Sequence, residues 1–233
     1  EMYLLFHRPA LAYSRRTLQW REPPRPFAQR CLPASDGATT FRSNAALFYH
    51  HVRRHVVRAR VVFPGAGYLE MVSTAATDAA SALRSVFFLQ PLVVEAATLV
   101  VECALADGRF EVRSGADDAL AEPTVHCSGV LAARDGWQRV GLASVRGGVC
   151  GRASDVGALY DGFDAVGLQY GPGYRTLVHA WGGGGAAMAR LRARSTHEGT
   201  GVHPADLDDA LCLGAVASSG IASEGGTKLP FAV

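Results

Sequence analysis

The sequence predicts an α+β protein with two lobes, in each of which strands surround one helix. Of its 233 residues, 48% are apolar and 19% are charged, which is typical of a chain that buries a sizeable core. A half-buried strand is followed by an Ala-rich helix and then by several short strands. The same order of elements occurs again later in the chain, without a sequence repeat of fixed period.

Changes in composition divide the chain into three predicted parts. Residues 1–40 are predicted to form a linker, because Trp20–Phe27 contains three prolines, which exclude a helix and a central strand. The first lobe is predicted over residues 41–148 and the second over residues 149–233.

The first lobe opens with a predicted strand over residues 55–63. His55 and the apolar side chains fall on one face and the arginines on the other, an alternation typical of a half-buried strand. Pro64 lacks a backbone donor and glycine permits a sharp turn, so Pro64–Gly67 is predicted to end this strand.

A helix with an Ala-rich buried face is predicted over Tyr68–Leu83, where small side chains let a sheet approach closely. Short β-rich segments follow, separated by Gly, Asp or Pro. These predicted strands lie at residues 86–95, 98–105, 109–114, 124–133 and 137–146.

The second lobe has less regular patterns. Helical spacing predicts a short helix over Leu159–Val166 and another over Ala205–Ser218. Between them, Tyr174–Trp181 and Ala186–Ala193 predict a hairpin across a loose turn of four glycines.

Composition and charge argue against several functions. The formal net charge of +2 is too small to indicate a nucleic-acid partner. Apolar stretches are interrupted well short of the roughly 20 residues that cross a membrane, and no signal peptide is evident. The five cysteines are scattered and contain no CxxC pair, so we predict neither a disulfide framework nor a metal site. We therefore expect an intracellular, cytoplasmic protein.

Three motifs, in order, resemble those of dehydratase domains of modular type I polyketide synthases. The segment His55–Pro64 is similar to the family's HxxxGxxxxP motif and is followed by Gly-Ala-Gly-Tyr-Leu-Glu. Tyr170–Tyr174 is similar to YGPxF, and His203–Asp208 is similar to HPxxLD. The resemblance implies a double hot dog fold, in which each of two tandem lobes wraps an antiparallel sheet around a central helix.

The resemblance also implies the dehydration of a β-hydroxyacyl thioester to the α,β-enoyl thioester. A base must take the proton beside the thioester carbonyl, and an acid must protonate the departing hydroxyl. Neutral imidazole suits the first task, and a carboxyl whose pKa is raised by burial suits the second. By resemblance, His55 is the base and Asp208 the acid. Neither step needs a metal or redox cofactor.

Other candidates would position the substrate or the acid. The N–H of Gly65, in the turn that Pro64 begins, is predicted to donate to the thioester oxygen, unless this turn needs glycine for steric reasons alone. Tyr170 is a candidate donor to the substrate hydroxyl or to Asp208, or else a loop tyrosine. Cys212 follows Asp208 by four residues, where the family usually carries Gln or His.

Simpler structural roles are alternatives for some of these residues. A lone His on a strand, such as His55, is more often a hydrogen-bonded core residue than a catalyst. Asp206 and Asp209 are explained as first-turn acids that interact with the helix dipole. Asp208 fits that explanation less well, because the apolar pattern places it near the buried margin.

The sequence departs from the family pattern at three positions. Ala59 replaces a glycine, and its methyl group is predicted to face the cleft beside His55. Cys212 offers only a weak hydrogen-bonding group. Arg54 precedes His55 where the family often carries Asp, and is predicted to face outward. Two alternatives therefore stay open: a catalytically degenerate dehydratase kept as a structural or dimerising module, and another hot-dog enzyme such as a product-template cyclase or a thioesterase.

The resemblance implies partners for the domain. Substrates in this family are carried on the phosphopantetheine arm of an acidic acyl carrier protein, neighbouring synthase domains are expected, and members often pair as homodimers. A basic rim that docks the carrier, or else a solvated strand face, is predicted from Arg53, Arg54, Arg58 and Arg60. Because the sequence starts at Glu1 and stops just after Leu229–Phe231, we expect an excised segment with a truncated second lobe.

Overall fold

The computed structural model describes residues 25–33, 37–76, 81–95, 98–115, 120, 122–133, 141–148, 150–183 and 185–217. Within these ranges, all named strands pair antiparallel and are accompanied by short helices, which confirms the predicted α+β class. Among the described residues, no helix is both long and apolar enough to cross a bilayer.

The largest sheet belongs to the first half of the chain. Its strands are β1 (Arg30–Cys31), β2 (Thr39–Asn44), β5 (Ser81–Phe88), β6 (Val100–Ala106), β7 (Arg109–Gly115) and β8 (Thr124–Ala133). They are arranged in the order β1-β2-β6-β7-β8-β5. Helix α2 (Gly65–Ala75) packs against this sheet through buried Met71, Val72 and Ala75, as expected for a helix with one apolar face.

Part of the predicted linker contributes to the first core. Phe27 is 1% exposed, and its ring lies 5.6 Å from that of Phe48, on helix α1 (Ala45–Val52), and 5.9 Å from that of Phe63. The packed part of the first lobe therefore begins before residue 41, because an aromatic side chain from the Pro-rich segment fills its core.

The strand predicted over residues 55–63 is two strands. β3 (His55–Val57) and β4 (Arg60–Val61) form a hairpin whose central residues, Arg58 and Ala59, have φ angles of +48° and +63°. Positive φ at both central residues is typical of a two-residue hairpin turn. The predicted alternation is wrong from Arg58 onward, and Ala59 lies exposed on the turn.

Other boundaries in the first half also differ from prediction. Helix α2 begins at Gly65 and ends at Ala75, while residues 81–83 belong to β5 and the intervening 77–80 lie outside the described residues. The segment predicted as a strand over 137–146 is wrong in its described part, where α3 (Leu142–Gly148) is helical. Short apolar runs do not distinguish strand from helix by spacing alone.

The predictions at 98–105, 109–114 and 124–133 are confirmed by β6, β7 and β8. The predicted strand over 86–95 is only partly correct, because β5 ends at Phe88.

The second half supplies a smaller sheet, three α-helices and a 3-10 turn among the described residues. Its elements are β9 (Arg152–Ser154), α4 (Val156–Ala165), β10 (Leu168–Tyr170), a 3-10 turn (Pro172–Tyr174), β11 (Leu177–Gly183), β12 (Ala186–Leu191), α5 (Pro204–Cys212) and α6 (Gly214–Ala217). Helix α4 and the β11–β12 hairpin confirm the predicted helix and hairpin, but β11 begins at Leu177, because Tyr174 belongs to the 3-10 turn. The helix predicted over 205–218 is interrupted at Leu213, and Ser218 and the motif Leu229–Phe231 lie outside the described residues.

A third sheet joins the two halves of the chain. Strand β10 pairs with β3, and Tyr170 lies directly opposite His55. Val57 and Val62, from the first half, pack in one cluster with Leu168 and other residues of the second half. The β3–β4 hairpin therefore connects the two cores.

Candidate active site

His55 is held in one orientation by its own hairpin. The side chain is buried, and its Nδ1 lies 2.7 Å from the carbonyl oxygen of Val62. Because a carbonyl oxygen only accepts hydrogen bonds, Nδ1 carries the ring proton and donates it. The lone pair is therefore on Nε2, which lies 3.9 Å from Oδ2 of Asp208.

Asp208 meets His55 from the second half of the chain. It is 7% exposed, and its Oδ2 has no hydrogen-bond partner among the described residues. Burial raises the pKa of the Asp208 carboxyl, while His55 and the Tyr170 hydroxyl act in the opposite direction. Burial therefore favours the protonated carboxyl.

The start of helix α5 determines where Asp208 lies. His203 is the N-cap residue, and its Nδ1 accepts a hydrogen bond of 3.2 Å from the N–H of Ala205. Pro204 occupies the first helical position, where its missing donor is not needed. The helix thus begins at a defined residue, and one turn later its buried face presents Asp208.

Asp209 has a structural role that the sequence interpretation missed. It is 1% exposed, so the prediction of a simple first-turn acid is wrong. Its carboxylate accepts hydrogen bonds from the Tyr160 hydroxyl at 2.9 Å and from both the N–H and the hydroxyl of Thr176 at 2.6 Å. These bonds fix α5 to α4 and to the start of β11. Asp206 accepts from Arg194 Nε at 2.8 Å.

Two tyrosines line the other side of the imidazole. The ring centroids of Tyr170 and Tyr174 each lie 5.6 Å from that of His55. The Tyr170 hydroxyl lies 3.2 Å from Cys212 Sγ, and either atom can donate. The Tyr174 hydroxyl is buried with no partner among the described residues. Burial raises the pKa of both phenols, so both remain protonated.

Cys212 occupies the predicted place one turn after Asp208. Burial, reinforced by the charge of Asp208, raises the pKa of its thiol to about 12. Cys212 therefore stays a neutral thiol, and it contacts the Tyr170 hydroxyl at the edge of the site.

Gly65 lies where helix α2 begins. Pro64 is the N-cap residue in an extended conformation, and Gly65 is the first helical residue, whose N–H has no partner within the helix. A Cβ atom at Gly65 would lie 3.2 Å from Cζ of Phe88. Glycine therefore also relieves crowding here, and both interpretations of this turn stay open.

Glu70 is a further residue that the sequence interpretation missed. It lies on α2, is 3% exposed, and accepts hydrogen bonds from the N–H groups of Gly201 at 2.6 Å and Val202 at 3.0 Å. These residues precede α5 directly. Glu70 thus ties the helix that starts at Gly65 to the segment that leads to Asp208.

The departures at positions 54 and 59 lie outside the site. The N–H of Ala59 donates to Gln169 Oε1 at 2.9 Å on the exposed turn, so the expectation that its methyl group crowds His55 is wrong. Arg54 is exposed, as predicted, and its side chain lies over Gly171, where a Cβ atom would come within 2.7 Å of Arg54 Cδ.

Two family models match the chain. One, described as the polyketide synthase dehydratase domain, matches residues 27–115. The other, described as the polyketide synthase dehydratase N-terminal domain, matches residues 142–233. Together the two matches include His55, Tyr170 and Asp208.

Curated polyketide synthases are also similar in sequence to this chain. Polyketide synthase ThaG of Burkholderia thailandensis is 34% identical over 174 residues, which cover 67% of this chain and 3% of ThaG. The chain thus spans a small fraction of the curated relatives that it matches.

Two crystal structures of the CurK dehydratase, both of inactive mutants, each align with a TM-score of 0.77 at 20% identity over 89% of this chain. The alignments cover 81% of the Asp-to-Asn mutant and 80% of the His-to-Phe mutant. The likeness confirms the predicted double hot dog fold.

Proposed function

This chain belongs to the dehydratase domain family of modular polyketide synthases, whose members are hydro-lyases, and from that premise we propose how its own residues remove water. The proposed substrate is a β-hydroxyacyl thioester carried on the phosphopantetheine arm of an acyl carrier protein. The observation that carries the proposal is the 3.9 Å approach of His55 Nε2 to Asp208 Oδ2, from opposite halves of the chain.

His55 is the general base. Its Nε2 takes the proton from the carbon next to the thioester carbonyl, and the electron pair of that C–H bond moves into the carbonyl as an enolate. The hydrogen bond from Nδ1 to Val62 supports this role, because it leaves the lone pair on the nitrogen that faces Asp208.

Asp208 is the general acid. As the enolate collapses, the Cβ–O bond breaks and the departing hydroxyl takes the Asp208 proton, which releases water and leaves the enoyl thioester. Burial of Asp208 supports this role, because a carboxyl with a raised pKa keeps its proton. The cycle closes when the imidazolium of His55 returns a proton to the carboxylate.

Gly65 and Tyr170 are proposed to position the reacting groups. The N–H of Gly65 donates to the thioester oxygen as negative charge develops on it, at a helix N-terminus that favours anions. The Tyr170 hydroxyl, held by Cys212, donates toward the leaving hydroxyl or Asp208. The reaction as written requires no metal or redox cofactor.

An active enzyme is favoured over a degenerate structural module. The argument for degeneracy depended on Ala59 and Cys212. Ala59 lies on the exposed hairpin turn, and Cys212 keeps a polar contact with Tyr170. The inactive Asp-to-Asn and His-to-Phe mutants of the CurK dehydratase also support a paired His and Asp mechanism.

We propose an acyl carrier protein and neighbouring synthase domains as partners. The hairpin and its entry present Arg53, Arg54, Arg58 and Arg60 at the surface. The charge of Arg60 is offset by Glu95, 2.8 Å away, so Arg53 and Arg54 are proposed to contribute most to an attraction for an acidic carrier. Homodimerisation stays a prediction.

The test is turnover of a synthetic β-hydroxyacyl pantetheine thioester, followed by mass spectrometry. The wild-type chain is expected to yield an enoyl product 18 mass units lighter, as loss of one water requires, at roughly 10²-fold or more above the His55→Ala and Asp208→Asn variants. Folded wild-type protein that turns over no substrate of any chain length would favour the structural module. A cyclic product from a poly-β-keto thioester would favour a product-template cyclase.

A further inference from the structure

A second cluster of ionisable side chains lies outside the site described above. His50 and His51, at the end of helix α1, meet Glu198 from the segment that precedes α5. Nε2 of His50 lies 3.9 Å and Nδ1 of His51 lies 3.5 Å from the same oxygen, Oε2 of Glu198. One potential ligand atom from each of the three residues lies within 4.8 Å of the others.

His51 is the buried member of the cluster, and its ring nitrogens lack hydrogen-bond partners among the described residues. Its side chain is 1% exposed. A neutral imidazole has one donor and one acceptor, and leaving them both unpaired in a buried site is unfavourable. A cation bound at Nδ1 would pair the ring's lone pair.

The two imidazoles converge although they are neighbours in sequence. Successive helical residues point about 100° apart, but the ring centroids of His50 and His51 are 3.8 Å apart. Ligand atoms in a tetrahedral zinc site, each about 2.0–2.1 Å from the ion, are roughly 3.4 Å from one another. The cluster is close to that spacing and requires small side-chain movements to reach it.

We propose that His50, His51 and Glu198 bind a late first-row divalent cation of the Zn²⁺ class. Two imidazoles and one carboxylate suit such ions better than Mg²⁺ or Ca²⁺, which prefer oxygen ligands. His50 and Glu198 are 57% and 46% exposed, so the cluster opens to solvent for ion entry, and a water would complete a tetrahedral shell.

The surrounding charges are compatible with a bound cation. His203 Nδ1 accepts from the N–H of Ala205, so the proton of its neutral ring is on Nε2, 4.0 Å from Glu198 Oε2. His203 is therefore a neighbour of the carboxylate and not a ligand of the ion, because its Nε2 carries a proton. Arg194 is the nearby cation, and both oxygens of Asp206 accept hydrogen bonds from its Nε.

The cluster also lies where the two halves of the chain meet. Because α1 belongs to the first half and Glu198 to the second, the ion would join the two halves next to the segment leading to Asp208.

The test is calorimetric titration of chelator-treated full chain with ZnCl₂. The exposed thiol of Cys31 is first removed as Cys31→Ser, because soft ions also bind thiols. We expect one equivalent of Zn²⁺ to bind and to raise the midpoint of thermal unfolding. His50→Gln and Glu198→Gln should each weaken binding at least about tenfold, since each removes one ligand.

The matched control is His197→Gln, an exposed histidine in the same segment that lies outside the cluster. It should bind Zn²⁺ like the Cys31→Ser background. Co²⁺ should give the visible absorption of tetrahedral coordination in that background and lose it in Glu198→Gln. The proposal is overturned by the absence of stoichiometric binding, or by equal affinity in the His50→Gln, Glu198→Gln and His197→Gln variants. Dehydratase turnover is measured separately, so neither result depends on the catalytic assignment.

Discussion

The hydrogen bond from His55 Nδ1 to the carbonyl of Val62 determines which nitrogen of the imidazole is basic. That carbonyl belongs to the residue after β4, so the proposed base is oriented by backbone and not by a carboxylate. Opposite it, Asp208 is buried, and its Oδ2 has no hydrogen-bond partner among the described residues. A buried acid with an unpaired oxygen would serve the proposed reaction at the expense of folding stability.

Asp208→Asn should therefore stabilise the protein while abolishing turnover. Because the pKa of Asp208 is higher in the folded state than in the unfolded state, the unfolded chain loses this proton at lower pH. The free energy of unfolding therefore decreases as pH rises from about 4 through the pKa of the folded state. An amide does not ionise, and we expect a gain of about 1 kcal/mol at pH 7. Urea unfolding measures this, with exposed Asp161→Asn as a control that should stay within about 0.5 kcal/mol of wild type. A less stable Asp208→Asn variant would contradict the prediction.

Ala59→Gly should stabilise the β3–β4 hairpin without changing the chemistry. Ala59 has a φ of +63°, where a Cβ atom is disfavoured, and it is exposed on the turn. We expect the melting temperature to rise by an amount equivalent to about 1 kcal/mol, with unchanged turnover. The same substitution at exposed Ala133, in strand β8, should instead destabilise by about 0.5–1 kcal/mol. A large gain in turnover for Ala59→Gly would show that this position does act on the cleft.

At the scale of elements, the site depends on how α2 and α5 are held together. Glu70 on α2 accepts two backbone hydrogen bonds from Gly201 and Val202, just before α5 begins. Asp209 on α5 in turn binds Tyr160 and Thr176. Each carboxylate accepts hydrogen bonds from backbone N–H groups that lie outside regular secondary structure and therefore have no partner in a helix or sheet.

Glu70→Gln should destabilise the chain and reduce catalysis together. The amide keeps one acceptor but places an NH₂ group where the backbone N–H groups and the Thr74 hydroxyl are all donors, so a part-buried donor loses its partner at a cost of about 1 kcal/mol. We expect turnover to fall more than substrate affinity, because α5 loses its position. Urea unfolding and steady-state kinetics measure the two effects. Exposed Glu111→Gln, on β7, is the control and should change neither; equal behaviour of the two variants would contradict this role for Glu70.

Elements with strong local patterns were predictable from sequence, and those fixed by distant partners were not. Strands β6, β7 and β8 follow their alternation. The β3–β4 turn was missed because Arg58 and Ala59 lack the Asn-Gly chemistry that marks such turns. The structural role of Glu70 depends on Gly201, 131 residues away, and that of Asp209 depends on Thr176, 33 residues away. No local sequence pattern contains such distant partners.

The candidate site was found by resemblance more than by pattern. The motifs identified His55, Tyr170 and Asp208, and the structure brings all three together. Spacing within α5 also predicted that Cys212 lies beside Asp208. Neither the imidazole tautomer nor the buried Tyr174 hydroxyl could be predicted, because both depend on tertiary contacts.

For the whole molecule, we predict that two buried histidines lower the stability in mild acid, while the buried carboxyls of Asp208 and Asp209, whose pKa values are raised, act in the opposite direction. The pKa values of His51 and His203 are lowered to about 4 by burial, and by Arg194 among the nearby charges. The unfolded chain therefore takes up protons first below pH 6.5, and stability present at neutral pH is lost as pH falls toward 4. His50, Glu198 and Asp206 also face this cluster. We expect the two histidines together to contribute a loss of order 2–4 kcal/mol at pH 5.

Urea unfolding at pH 7 and pH 5 measures this loss. Between the two pH values, His51→Gln should lose about 1–2 kcal/mol less stability than the wild type, since one of the two titrating rings is removed. Leu47→Gln, an exposed change on the same helix that adds no titratable group, should leave the difference as in wild type. The same pH difference in His51→Gln and in the wild type would contradict the prediction.

The β10-β3-β4 sheet makes the base inseparable from the second half of the chain. Strand β3 pairs with β10, which lies more than 100 residues further along the chain. A first half without β10, whether still being synthesised or separated by proteolysis, would expose the backbone edge of β3. During synthesis, His55 would therefore acquire its working surroundings last, after Tyr170 has been added. We therefore expect an isolated first half to be catalytically inactive. The exposed edge of β3 would be prone to pair with a strand other than β10, even where the six-stranded sheet has formed.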